Sequence, residues 1–353
     1  MLLEGLQLPL TTPFYPDGRL NLRKLEHNAD RYSKTPAAGL AVLSEQGEPT
    51  MLSEEETRQA LRSAMDAAAM EKVMLAGVSC DSVVGTLELA EFAAGIGYDA
   101  VLVKQPSFFR SRTRGDWTKE LLTYFRAVAD RSAAPVVLYS PDAALPVELA
   151  IELAGHPRII GLVNGGLVDG GRSVERVKVG TAAVRHEVTV TPVFAAATGR
   201  MLVQRETAGA GTFIAAGTLT GGGAALAVAP PKPAIKTRTK AVGFQVLTCD
   251  TAGMLDGLQA GAVGVMPGFA ACAPQACYEV LAAWKDGDIE LAREKQVRLQ
   301  AAVERVEGEL GVPGIKFGCD LNGYYGGRPR LPLLPPSGEE RGEIEALMRG
   351  IRN

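Results

Sequence analysis

Short runs of mostly apolar, often β-branched residues recur along this chain. Between them lie longer stretches in which apolar positions return every third or fourth residue. The runs are "LQLPLTTPF" (6–14), "GLAVLSE" (39–45), "VMLAGVSC" (73–80), "DAVLVKQP" (99–106), "PVVLYSPD" (135–142), "IIGLVNG" (159–165), "FQVLTCD" (244–250) and "AVGVMPG" (262–268). Their near-continuous apolar character marks strands covered on both faces, one by a barrel interior and one by helices. Eight such strands alternating with helices predict an α/β chain folded as a (β/α)8 TIM barrel.

The clearest helix is "LSEEETRQALRSAMDAAAM", where Ser53 and Glu56 form an S-x-x-E capping box ahead of an apolar stripe at Leu61, Met65 and Ala68. After the eighth run come amphipathic segments, including "ELAREKQVRLQAAVERVEGEL", then the proline-rich "RPRLPLLPPS" and a last helix. The expected organisation is a barrel over 1–270 and a C-terminal helical extension over 271–353. The sixth and seventh runs are too far apart for one βα unit, which predicts an insertion at about 166–241. Starting after a strand, on the face where barrels carry their active sites, it is expected to serve as a lid, or else as a solvent-exposed excursion or oligomer contact.

Composition narrows the function classes. A formal charge of −3 offers no basic face for nucleic acid, so a small neutral or anionic ligand is expected. No apolar run approaches the ~20 residues that span a bilayer, and the N-terminus lacks the pattern of a leader; no membrane partner and a cytoplasmic location follow as expectations. Five cysteines without a CxxC pair and three widely spaced histidines predict neither a zinc site nor any other cofactor, with the cysteines acting as small buried hydrophobes.

Several motifs, in this order, carry a family likeness: "TTPFYPDGRL", "GLAVLSEQGEPTMLSEEE", "GYDAVLVKQPSFF", "PVVLYSP", "HPRIIGLVNGG" and "GIKFGCDLNGYYGGRPRLPLLP". Together they resemble the dihydrodipicolinate synthase / N-acetylneuraminate lyase family of class I aldolases. The resemblance covers most of 5–165 and 242–350. It implies a TIM barrel, lyase chemistry on pyruvate-like 2-keto acids through a lysine imine, and assembly as homodimers or homotetramers. In the family a lysine on the sixth strand attacks the keto carbon, a tyrosine relays protons, and paired threonines on the second-strand loop hold the carboxylate.

Carried over residue by residue, the likeness places the relay tyrosine at Tyr139. The Gly-Ile-Lys-(Asp/Glu) segment aligns with Gly161, Leu162, Val163 and Asn164, which puts Val163 at the amine position. The Gly-Thr-Thr-Gly-Glu loop aligns with Ser44, Glu45, Gln46, Gly47 and Glu48, so the hydroxyl donors become Glu45 and Gln46. A second relay tyrosine aligns with Phe108, and an arginine found in some members aligns near Ala144. A valine has no nucleophile, so ordinary pyruvate-imine chemistry is not expected from the sixth strand.

Two substitutes present themselves. Lys104, near the end of the fourth run, supplies a relocated amine if it points inward; Lys232, Lys236 and Lys240 in the insertion are weaker candidates. Alternatively Glu45 and Tyr139 form an acid/base pair, with Gln46, the Gly47 amide, Thr11 and Thr12 donating to the ligand. The candidate catalytic set is therefore Tyr139, Glu45 and Lys104. The candidate substrate-binding set is Thr12, Ser44, Gln46, Gly47, Val163 and Asn164, around a small keto or sugar acid. Glu48, Lys316, Tyr324 and Tyr325 are read as structural. A catalytically silent barrel that binds a metabolite or a partner subunit is the alternative.

Overall fold

A computed structural model describes residues 1–110, 117–142, 144–166, 169–203 and 236–351. The strands among them are β1 (Gly5–Pro9), β2 (Gly39–Val42), β3 (Val73–Gly77), β4 (Ala100–Lys104), β5 (Val136–Ser140), β6 (Ile159–Asn164), β7 (His186–Val190), β8 (Arg238–Val242), β9 (Gln245–Thr248) and β10 (Gly264–Val265). Eight of them close into one barrel in the order β1, β10, β9, β6, β5, β4, β3, β2, each neighbouring pair parallel. These eight coincide with the eight apolar runs of the sequence, β1 beginning one residue before its run.

Alternation along each strand sends every second side chain to the barrel interior. Leu102 from β4, Val137 and Tyr139 from β5, Val163 from β6, Leu247 from β9 and Met266 after β10 pack together there. Burying each aliphatic side chain of this layer contributes about 1.5–3 kcal/mol, which fixes strand register and with it the direction of the polar groups one step above.

The intervening helices are α1 (Leu22–Ser33), α2 (Glu54–Ala67), α3 (Val83–Gly95), α4 (Thr118–Arg131), α5 (Val147–Ala154), α6 (Arg172–Gly180) and α7 (Met254–Gln259). Helix α2 begins with the expected capping box: Ser53 Oγ accepts from the Glu56 N–H, and the Glu56 carboxylate accepts from the Ser53 N–H.

The expected lid is corrected for residues 169–203 and 236–241; 204–235 lie outside the described residues. Val174 and Val177 of α6 belong to the core, so α6 is the ordinary helix after β6, and the chain leaves the βα pattern only beyond it, at the N-terminal end of the barrel. There β7 and β8 pair antiparallel, His186 opposite Val242 and Val190 opposite Arg238. Val188 and Val190 pack on Leu2, ahead of β1. Arg200 donates to the carbonyls of Ala68, Ala69 and Lys72, each at 2.9 Å, ahead of β3, and Gly199 N–H donates to Asp99 Oδ1 at 2.7 Å, ahead of β4. The described part of the insertion therefore plugs the end opposite the C-terminal mouth. Lys240 lies there too, 3.7 Å from Glu4; Lys236 is exposed beside β8, and Lys232 lies outside the described residues.

The C-terminal extension comprises α8 (Pro274–Lys285), α9 (Ile289–Ala302), a π-helical segment (Val303–Glu309), α10 (Gly311–Leu321) and α11 (Gly338–Met348). The single amphipathic stretch seen in the sequence thus divides at Val303. The extension is locked to the loop after β2 by a buried ion pair between Lys316 and Glu48. Arg330 adds a two-pronged bond to the Glu56 carboxylate, at 2.6 and 2.7 Å.

No helix of the described residues is long and apolar enough to cross a membrane.

Candidate active site

The C-terminal mouth of the barrel gathers most of the candidate residues. In the β4–β5–β6 ladder Lys104 pairs with Tyr139, and Tyr139 with Val163. Paired residues of parallel strands point the same way, so Lys104 shares the inward direction of Tyr139 and Val163. Its side chain keeps only 8% of its exposure, and its Nζ lies 2.6 Å from Glu45 Oε1 and 2.9 Å from Asp142 Oδ2. The ammonium thus stands beside the phenol, held by carboxylates from the loops after β2 and β5.

Glu45 reaches this position because the backbone after β2 turns sharply. Leu43 (φ 60°) and Glu48 (φ 52°) are both left-handed, a conformation that costs a non-glycine residue about 1–2 kcal/mol. Between them Glu45–Gly47 forms a single 3-10 turn. Thr12 Oγ1 donates to the Gly47 carbonyl at 2.6 Å and pins the turn to the strand β1 side. Ser44 Oγ donates to Gln46 Oε1 at 3.2 Å. The buried Lys316–Glu48 pair closes the turn from behind.

The Glu45 N–H donates to Tyr139 Oη at 3.3 Å. Burial pushes the phenol well above its ordinary range, with the nearby Glu45 carboxylate adding to the effect, so Tyr139 stays protonated and can both donate and accept. Val163 offers only hydrocarbon. Asn164, one step further along β6, faces away from the axis: its Oδ1 accepts from the Leu145 N–H at 2.9 Å, tying the loop after β5. Thr12, placed among the substrate binders on sequence grounds, thus spends its hydroxyl on backbone, as Asn164 does its Oδ1, while the Asn164 Nδ2 is buried with no hydrogen-bond partner among the described residues. Phe108 is 55% exposed and packs on Phe109.

Two acidic residues at the mouth escaped the sequence reading. Asp142 sits just past β5, within a quoted run, but its carboxylate only acquires meaning once Lys104 is known to face inward. Glu307 lies on the π-helical segment and reads in the sequence as one more solvated glutamate. Its Oε2 accepts from the Phe269 N–H at 3.1 Å. Burial raises its carboxyl to about 7, against the hydrogen bond from the Phe269 backbone. A lone glutamate inside a helical run carries no sequence signal for such a position; the π-turn creates it.

An amine, a phenol and several carboxylates at the mouth of a barrel can exchange protons with a bound ketone or hydroxy acid. Comparison with known proteins identifies the family. The chain is 28% identical to an L-threo-3-deoxy-hexylosonate aldolase of Hypocrea jecorina, over 99% of this chain and 95% of that one. It is 27% identical to a protein of Emericella nidulans named "Probable 4-hydroxy-2-oxoglutarate aldolase, mitochondrial", over 99% and 96%. Among solved structures, a prophage protein of the dihydrodipicolinic acid synthase family from E. coli K12, in complex with pyruvate, superposes with a TM-score of 0.74 at 21% identity, covering 99% of each chain. A dihydrodipicolinate synthase from Bacillus anthracis gives 0.76 at 17%, covering all of both. The model of the dihydrodipicolinate synthetase family matches residues 2–179 and 232–351, and the chain belongs to that family.

Proposed function

We propose that this protein is an aldolase-type lyase acting on small 2-keto or sugar acids, with its imine-forming amine on β4 rather than β6. The observation that carries this reading is the side-by-side placement of Lys104 and Tyr139 on neighbouring strands, both turned into the mouth. Val163, where the family resemblance aligns the usual lysine, then forms an apolar wall.

Attack requires a neutral amine. Glu45 and Asp142 touch Lys104 Nζ and are positioned to accept its proton. The amine adds to the keto carbon, Tyr139 protonates the departing oxygen, and water leaves as the C–N double bond forms. A base then takes the proton of the hydroxyl two carbons beyond the imine. The carbon–carbon bond between them breaks, its electron pair passes into the enamine, and an aldehyde departs. Protonation of the enamine carbon and addition of water release the shorter keto acid and restore Lys104. The relatives' names, one a deoxy-sugar-acid aldolase, support a substrate of this kind.

A second reading, the silent barrel, draws on the same ion pairs: an ammonium held by two carboxylates is also a stable structural element. Cleavage assays separate the two. Pyruvate release from a panel of 2-keto-3-deoxy sugar acids, followed by coupled NADH oxidation, should be measurable for the wild type and lost in Lys104→Met. No release from any member of the panel, with no keto acid bound, favours the silent barrel.

A further inference from the structure

The closed end of the barrel holds a cavity that the chemistry at the mouth does not use. Its volume is about 630 Å³, and it lies where the chain around β1, the turns ahead of β2 and β3, the insertion and α8 meet. Small-molecule sites enclose ~300–1,000 Å³ and are lined mainly by apolar side chains. Here Leu2, Leu6, Ala37 and Leu281 form part of such a lining, and Phe194 and Tyr278 add two aromatic rings.

Two polar groups on this wall are buried with hydrogen-bonding capacity left over. Thr191, on the turn that follows β7, is 9% exposed, and its Oγ1 meets no hydrogen-bond partner among the described residues. Lys72 is 8% exposed, and its ammonium donates to the carbonyls of Thr35 at 2.9 Å and Ala37 at 2.7 Å. No carboxylate of the described residues is in contact with it; the charge of Glu71 acts only from further off, and burial pulls the ammonium below its ordinary pKa. An ammonium has a third N–H to give, and a buried cation without a counter-charge is costly. The other charged residues of the lining are Lys285, Glu4 and Glu71. Glu4 already lies 3.7 Å from Lys240. Three ammonium groups, those of Lys72, Lys285 and Lys240, thus stand against the two carboxylates of Glu4 and Glu71, and one negative charge is wanting. The backbone carries a cost here as well. Phe194 is left-handed (φ 62°), which costs a residue with a side chain about 1–2 kcal/mol, and such strain gathers at ligand sites. Its N–H donates to the Thr191 carbonyl at 3.0 Å, so the turn that carries the spare hydroxyl also presents the ring.

We infer that this cavity is a second ligand site, taking a small monocarboxylic acid with an aromatic body. Lys72 supplies the cation for its carboxylate, and the Thr191 hydroxyl donates to the same group; charge-assisted bonds of this kind are the strong ones. The ring packs against Phe194 and Tyr278 over the aliphatic lining. The barrel interior separates the site from Lys104, so its occupant does not compete with a keto acid at the mouth.

Titration calorimetry of the full chain with 2-naphthoate and 2-naphthalenemethanol tests this, since the two share a ring system and differ in the charge of the head group. The wild type should bind one naphthoate per chain, roughly tenfold more tightly than the alcohol. Thr191→Val removes a hydroxyl that bonds nothing among the described residues, so its Tm should match the wild type while naphthoate affinity falls roughly fivefold. Lys72→Met should bind acid and alcohol alike. It also strips a donor from two carbonyls, so its folding is checked by melting, and Thr191→Val carries the test if it does not fold. Lys104→Met should bind naphthoate as the wild type does. Absence of naphthoate binding, an alcohol held as tightly as the acid, unchanged affinity in Thr191→Val, or a loss in Lys104→Met overturns the inference, the last by placing the acid at the mouth.

Discussion

Replacing Lys316 by methionine tests how the C-terminal extension holds the mouth. Lys316 is completely buried, and its ammonium pairs with Glu48, itself 3% exposed. It also donates to the Arg328 carbonyl at 3.0 Å and lies 4.5 Å from the centre of the Phe14 ring. Methionine fills the volume but leaves the Glu48 carboxylate with the Arg330 N–H at 2.9 Å and no cation in contact. Removing one partner of a buried pair costs about 3–5 kcal/mol. With an unfolding entropy near 2.1 cal/mol/K per residue, that becomes a fall in Tm of roughly 4–7 °C for a chain of 353 residues. Calorimetry and urea titration of wild type, Lys316→Met and Lys316→Met/Glu48→Gln give the comparison. The double variant should recover much of the loss, because it buries no unpaired charge. A single-variant loss below about 1 kcal/mol, or a double variant no better than the single, would refute the assignment of this pair as the clamp.

Other predictions follow from the same contacts. Arg330 holds the Glu56 carboxyl down to about 2, so its contribution is present above the ordinary value of 4.5 and lost as pH falls through about 2. After discounting for partial exposure it amounts to about 1–2 kcal/mol, and Arg330→Met should flatten acid unfolding curves accordingly. Glu307 works in the opposite sense: with its carboxyl raised to about 7, its contribution is complete below the unfolded value near 4.5 and disappears as pH rises through 7. Glu307→Gln should therefore remove a decline of a few kcal/mol seen in wild-type melts over that range. Arg200→Ala, which frees three carbonyls at the closed end of the barrel, should lower stability by about 2 kcal/mol while leaving ligand affinity unchanged. Gly268→Ala should lower the Tm by a few degrees in calorimetry, since the added carbon collides with the movable ends of Gln46 and Glu307.

The barrel was legible because its strands are buried on both faces, and the α2 cap because its two reciprocal bonds need a fixed residue spacing. That same double burial hid the direction of Lys104. In "AVLVK" all five residues are buried, so no polar alternation marks the inward side, and only the pairing with Tyr139 decides it. Glu307 was hidden for a different reason: a π-turn breaks the 3.6-residue period on which an amphipathic reading depends. The described part of the insertion was assigned to the wrong end because "RSVERVKVG" was counted with it rather than as the helix that carries the chain back beneath the barrel. Asn164 looked like a ligand residue beside Val163, but one step along a strand reverses the face.

The proposed catalysis rests on Lys104 as the amine of an imine. Treatment of the wild type with pyruvate and borohydride, followed by intact mass and peptide mapping, measures this directly. The wild type should carry one reduced pyruvyl group per chain, on the peptide containing Lys104, and Lys104→Met should carry none. An adduct on a different lysine, or none at keto-acid concentrations that saturate binding, would contradict it.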